Sequence, residues 1–227
     1  MHQKETEKLL QNVKDFYDTA AKEFDMTRQH GWEEFKEFLP CIKEGDQIVD
    51  LGCGNGRLLG FFKQNTSINY IGIDNSKGLL EAARKNHPYA KFLEGDLTKI
   101  PLKDQSADHA IAIASFHHLP GKELRKQCLT EIKRILKPDG TFILTVWNLF
   151  QPKYKKYIWK SRLKALLSGG KHEARGTNVP WGKAKLPRYY YAFTERELKK
   201  LLAGNGFEIL KMTKGNNITA ICKKSSK

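Results

Sequence analysis

Asp50-Leu51-Gly52-Cys53-Gly54-Asn55-Gly56 joins a short apolar run, Gln47 to Leu51, to the start of a helix, and Asp74 closes the next apolar run, Asn69 to Ile73. Three glycines at this spacing let the backbone approach a ligand closely. The helix start presents unpaired N–H groups that favour anionic or carbonyl oxygens. The same letters also fit a plain tight turn. A nicotinamide-binding turn needs a third glycine three positions after Gly54, where this chain has Arg57.

Outward from that turn, short apolar runs alternate with helical periodicity from about residue 46 to residue 147. Gln47 to Leu51, Asn69 to Ile73, Lys91 to Leu93, His109 to Ala114 and Thr141 to Trp147 read as strands. Glu123 to Leu136 reads as a helix stopped by Lys137-Pro138-Asp139-Gly140. This is the pattern of βαβ units on a parallel sheet, so the fold class is α/β. After Trp147 the alternation breaks. Thr194-Glu195-Arg196-Glu197 then forms a capping box, and Phe207 to Met212 and Ile218 to Cys222 flank a turn at Lys214 to Asn217, predicting a closing antiparallel hairpin.

The 227 residues suit one domain, and 40% hydrophobic residues with 11% aromatics argue against disorder. No apolar run is long enough to span a bilayer and no leader is evident, so a cytoplasmic location is expected, without stable membrane association. Four scattered cysteines lack zinc-site spacing, so no metal is expected, and Cys53 reads as a small packing residue within the turn. The formal charge of +15 suits a polyanionic partner or an acidic membrane surface, and charge alone does not choose between them.

The spacing Asp-x-Gly-x-Gly-x-Gly with an acid ending the next strand resembles the class I S-adenosylmethionine-dependent methyltransferases. The resemblance implies a Rossmann-like, seven-stranded, mostly parallel sheet with S-adenosylmethionine as cofactor. It assigns Asp74 to the ribose hydroxyls, Asp96 of Gly95-Asp96-Leu97 to the adenine amine and Leu97 to the ring face. Asp50, Gly52, Gly54, Gly56, Asn75 and Ser115 join them around the cofactor. After the fourth strand comes Ala114-Ser115-Phe116-His117-His118-Leu119, where this fold aims catalytic groups. There is no Asn-Pro-Pro-Tyr run for an exocyclic amine and no Pro-Cys nucleophile. The acceptor is therefore read as oxygen or an easily ionised nitrogen.

A narrower resemblance rests on Phe16-Tyr17 through Phe24-Asp25-Met26-Thr27-Arg28, Trp32, His117-His118, Val146-Trp147, Val179-Pro180-Trp181 and Arg188-Tyr189-Tyr190. In this order they are similar to the tRNA wobble carboxymethyluridine methyltransferases, including the methyltransferase half of the AlkB-type dioxygenase fusion. That resemblance implies transfer to a carboxymethyl carboxylate, which is already ionised at neutral pH and needs no general base. It also implies a possible small zinc-ribbon activator protein as partner. Arg28 is a candidate clamp for either the substrate or the cofactor carboxylate, and its alternative is a helix-end cation. Adjacent histidines cannot share one direction, so one is expected under the sheet and the other, His118, in the pocket. Trp147 is either core or a pocket wall near the sulfonium, and Tyr17 either a helix packing residue or part of a lid closing on the cofactor.

Gln151 to Tyr190 holds Lys153, Lys155, Lys156, Lys160, Arg162, Lys164, Lys171, Arg175, Lys183, Lys185 and Arg188 against Glu173 alone, interleaved with aromatics. Such a mixture suits a phosphate backbone and unpaired bases. Lys155, Lys156, Trp181, Arg188, Tyr189 and Tyr190 are the expected substrate contacts, with tRNA as partner. The expected organisation is a helical lid (1–40), a cofactor core (41–147), a basic insert (148–193) and a closing helix and hairpin (194–227). A small-molecule O-methyltransferase and an inactive RNA-binding relative are the alternatives.

Overall fold

Five parallel strands carry the centre of the molecule, and the two at its middle, Gln47–Leu51 and Ala107–Ile113, are largely apolar because both faces of the sheet are covered there. The computed structural model describes residues 3–28, 31–169, 172–182 and 185–225. It opens with helix α1 (Gln3–Thr27), then alternates β1 (Gln47–Leu51), α2 (Arg57–Lys63), β2 (Asn69–Asp74), α3 (Lys77–Asn86), β3 (Lys91–Glu94), β4 (Ala107–Ile113), α4 (Lys122–Ile135) and β5 (Leu136–Trp147). An insert of α5 (Lys155–Leu167), β6 (Gly176–Trp181) and β7 (Leu186–Tyr191) precedes α6 (Glu195–Ala203), β8 (Phe207–Lys214) and β9 (Asn217–Lys224).

The sheet has seven strands in the order β3-β2-β1-β4-β5-β9-β8. β1 runs parallel to both β2 and β4, while β9 is antiparallel to β5 from Thr141↔Lys223 to Trp147↔Asn217, and β8 pairs antiparallel with β9. The strand order reverses between β1 and β4, and the crevice outside their carboxyl ends is where such sheets bind ligands. One face is covered by Cys128, Leu129 and Ile132 of α4 with Leu198 and Leu202 of α6, the other by Phe35, Phe38, Leu58, Phe62 and Leu80.

The expected strands form, with ends moved by a few residues. At β5 the strand begins at Leu136, directly after α4, and runs through Lys137 to Gly140. Leu136 already pairs with Ala107, and a register shift beside it absorbs the change. Thr194 Oγ1 accepts from Glu197 N–H at 3.3 Å, the cap that starts α6.

The segment expected to follow a phosphate backbone is itself folded. Leu149, Ile158, Val179, Tyr190 and Ala192 form a small core of its own, and β6 and β7 pair antiparallel from Gly176↔Tyr191 to Trp181↔Leu186. Lys171 and Lys183 lie outside the described residues. No described helix is long and apolar enough to cross a membrane, and no described cluster of His, Cys, Asp and Glu has the makings of a metal site.

Candidate active site

The turn after β1 is tied down by its own backbone. Gly52 and Cys53 donate to Ile73 O at 2.7 and 3.0 Å, and Gly54 N–H donates to Asp74 Oδ2 at 2.9 Å. Ser76 N–H takes the other Asp74 oxygen at 2.9 Å. Asp74 is buried, which raises its pKa, while these N–H groups pull the other way. Gly52 has φ +74°, and a Cβ there would stand 2.4 Å from Ser115 Cβ. The ends of β1 and β4 thus approach as closely as glycine allows. Ser115 Oγ donates to Leu51 O at 2.6 Å, and Ala114 beside it has φ 53°, a strained conformation for a residue with a side chain.

Asp50 is buried and accepts from Tyr70 Oη at 2.7 Å. Burial, with Asp74 nearby, pushes its pKa up to about 7. Asp96 is held by Thr98 N–H and Oγ1 at 2.7 and 2.5 Å, and Leu97 packs on the main core. Asp50, Gly52, Gly54, Asp74, Asn75, Asp96, Leu97 and Ser115 all line one cleft. Gly56, at φ +80°, caps α2 against His87 and Phe92 behind it. Its part is the turn, not the wall.

The opposite wall is an ordered relay. Arg188 Nη1 donates to Tyr17 Oη at 2.9 Å, and Tyr17 Oη lies 2.8 Å from His118 Nε2. His118 Nδ1 lies 2.6 Å from Tyr189 O. A carbonyl only accepts, so Nδ1 carries the His118 proton and Nε2 accepts from Tyr17. Burial, then the Arg188 charge, brings the His118 pKa down to about 3, and burial beside His118 and Arg188 drives His117 well below its ordinary value. Both rings are neutral at pH 7. His117 Nδ1 accepts from Trp147 N–H at 3.2 Å, which leaves the proton on Nε2.

Expectation and placement part here. Both histidines are buried in the cleft wall, but His118 has both nitrogens engaged, and the one with a free nitrogen is His117. His117 sits on a 3-10 turn, Phe116–His118, and not on a strand, so alternation does not separate the pair. Arg188 and Tyr190 line the cleft, whereas Tyr189 points the other way, its hydroxyl on Glu173 Oε2 at 2.5 Å, because strand neighbours alternate. Trp181 is set back from the cleft against Phe16 and Phe24, with the Arg28 and Arg188 guanidinium groups over its ring at 5.3 and 5.6 Å. Lys155 and Lys156 are exposed at the start of α5, outside the cleft. Trp147 lines it, stacked on Tyr190 at 5.0 Å.

Among the described residues, His117 Nε2, Arg188 Nε and Tyr190 Oη are buried without a protein hydrogen-bond partner, and all three residues face this cleft. Buried polar atoms are rarely left so; these three are donors that mark a place for acceptor oxygens, while Asn55 Oδ1, beside the glycine turn in the same cleft, is an unpartnered acceptor. Arg28 also lines the cleft, its guanidinium on Thr27 Oγ1 at 2.8 Å. Sequence reasoning missed Arg57. It stacks on Trp32 at 4.3 Å in the same cleft, and burial, then Arg28, lowers its pKa to about 10. It stood in the motif as the residue excluding a nicotinamide turn, and only the fold turns it inward. Asp18 was missed as well. It accepts from Ser76 Oγ at 2.7 Å and so docks α1 over the acidic strand end.

Residues 49–144 match the family model described as a methyltransferase domain. Over 166 residues the chain is 35% identical to a tRNA (carboxymethyluridine(34)-5-O)-methyltransferase of Mus musculus, covering 71% of this chain and 24% of that protein. An Arabidopsis thaliana protein of the same name is 36% identical over 58% of this chain and 31% of its own length, and a Saccharomyces cerevisiae one 34% identical over 64% and 51%. The chain thus spans about a quarter to a half of these relatives. Among solved structures, a Methanosarcina mazei SAM-dependent methyltransferase superposes with TM-score 0.72 at 20% identity, covering 87% of this chain and all of that one. A Haloferax volcanii methyltransferase, in complex with the Trm112 methyltransferase activator, gives 0.70 at 19% over 95% and 98%. The glycine turn, Asp74, Asp96 and the histidine pair therefore sit within the stretch that matches a methyltransferase domain, on the fold of the SAM-dependent methyltransferases, and the chain is similar over part of its length to the tRNA (carboxymethyluridine(34)-5-O)-methyltransferases.

Proposed function

We propose that the chain methylates a carboxylate oxygen of a carboxymethyl-type wobble uridine in tRNA, with S-adenosylmethionine as donor. The observation that carries this reading is the set of three unpartnered buried groups, His117 Nε2–H, Arg188 Nε–H and Tyr190 Oη–H, in a wall with no carboxylate of its own. Donors left free in one cleft suit an ionised carboxylate.

The cofactor fits the opposite half. Asp74 keeps lone pairs for a ribose diol while backbone N–H groups hold it, and the space a Cβ would take at Gly52 is already in contact with Ser115, so the turn can only be this close with glycine. Asp96 and Leu97 suit the adenine edge and face, and Arg28 with Arg57, beside the glycine turn, suits the methionine carboxylate. When bound, S-adenosylmethionine supplies an electrophilic methyl group on its sulfonium. The chain's own groups then orient the substrate. An ionised carboxylate held beside the cofactor would take up that methyl group, giving an ester with no proton to remove. The acceptor nitrogens of His117 and His118 are already engaged, by Trp147 N–H and the Tyr17 hydroxyl, so neither is free to act as a base, which agrees with an acceptor that needs none. The relay through Tyr17 and His118 fixes Arg188, and so the direction of its free Nε–H.

The reading includes a small zinc-ribbon activator as partner and a cytoplasmic setting; the Haloferax volcanii methyltransferase named above is in complex with the Trm112 methyltransferase activator. Purified chain, with and without activator, is incubated with labelled cofactor and bulk tRNA, and the labelled nucleoside is identified before and after mild alkali. Alkali-labile label on a wobble uridine is expected. Arg188→Met is expected to lower kcat/KM about 100-fold, the cost of losing one charge-assisted contact. Label on a small carboxylic acid with none in any RNA would overturn the proposal in favour of a small-molecule enzyme.

A further inference from the structure

A stack of rings leads out of the cleft. His117 stacks on Tyr190 with centroids 4.9 Å apart, Tyr190 on Trp147 at 5.0 Å and Trp147 on Tyr154 at 6.2 Å, with interplanar angles of 27° to 29°. Its inner members line the cleft, and its outer member, Tyr154, is half-buried beside the start of α5. Lys153 lies over the Tyr154 ring at 4.9 Å, and exposed Lys155 and Lys156 follow it. No acidic residue occurs between Gln151 and His172, so nothing in that stretch neutralises them.

Core packing explains an aromatic contact between Trp147 and Tyr154. It does not explain why one lysine lies over the ladder's outer ring and two exposed lysines follow it in the chain. A flat ring with ammonium groups beside it is what binds an unpaired nucleotide, the ring stacking on the base and the cations holding its phosphate. From these placements we infer a second nucleotide subsite, in which Tyr154 stacks the base next to the methylated one and Lys153, Lys155 and Lys156 hold the intervening phosphates. The inference rests on the RNA reading above. Stacking is blind to base identity and Lys reads charge rather than base edges, so this subsite selects for an unpaired strand and not for its sequence.

Binding of a dye-labelled anticodon stem-loop to the full chain is measured by anisotropy across a salt series. Tyr154→Ala is expected to weaken binding about tenfold, whereas Tyr154→Phe, which keeps the ring, stays near wild type. Replacing Lys153, Lys155 and Lys156 together by Ala is expected to flatten the slope of log affinity against log salt by about 2. These three are exposed, so the triple variant decides the matter if Tyr154→Ala unfolds. An unchanged slope, or equal losses in Tyr154→Ala and Tyr154→Phe, would overturn the subsite while leaving the proposed reaction standing. Failure of the wild-type chain to bind the stem-loop at all would remove both.

Discussion

At Gly52 a single hydrogen decides whether the cofactor turn can exist. Its φ of +74° is costly for any other residue, and the contact with Ser115 leaves no space for a methyl group. Gly52→Ala is expected to cost about 2 kcal/mol of stability or more, and calorimetric titration with S-adenosylmethionine should show its binding lost. Asp50 makes a prediction in pH. Its folded pKa, about 7, lies above the ordinary carboxyl value, so the folded chain binds the extra proton between those pH values. Stability from this group therefore falls as pH rises from about 4 to about 7. Asp50→Asn, still able to accept from Tyr70, should melt progressively later than wild type as pH is raised from 5 to 8. Parallel melting curves across that range would show that the buried carboxyl carries no such burden.

One acid of the insert ties it to the sheet's helices. Glu173, the single carboxylate among its eleven cations, accepts from Arg125 Nη2 at 2.5 Å, from Gly121 N–H at 3.0 Å and from the Tyr189 hydroxyl. It fastens β7 to α4, and β7 carries Arg188 and Tyr190 to the cleft. Removing it strands the buried Arg125 charge. Glu173→Ala is expected to destabilise the chain by about 3 kcal/mol in urea denaturation, with turnover falling further than stability because Arg188 loses its place. These partners lower the Glu173 pKa against its burial, so the pair's contribution is present above the ordinary carboxyl value and lost as pH falls through the lower folded one. α5 shows why no helical stripe was legible in this region. Ile158, Ser161 and Ala165 face inward while Trp159, Leu163, Leu166 and Leu167 are exposed, so apolar residues occupy two faces and no single stripe stands out.

Across the whole molecule, charge and cleft divide the work. Most of the net +15 lies on the insert, but Arg188 is buried and Arg175 is paired with Glu197, so the cations left to meet a polyanion are chiefly lysines on α5 and the turn before it. RNA affinity should fall steeply with salt, while S-adenosylmethionine affinity, read by calorimetry in the same buffers, should change little. A shallow salt response for RNA would place recognition in the cleft alone.

Alternation of apolar runs, the glycine turn and the Thr194 cap lie within a few residues of each other in the chain, and local chemistry sufficed to read them as a parallel sheet with a ligand turn. The resemblance of scattered motifs even named the residues that would gather. It did not show how they are wired. That His117 rather than His118 keeps a free nitrogen, that Tyr189 turns to Glu173 and that Arg57 faces the cleft all depend on contacts between segments tens of residues apart. Side-chain direction and unpaired hydrogen-bonding capacity are properties of packing, and only the tertiary structure decides which buried donor is left for a ligand.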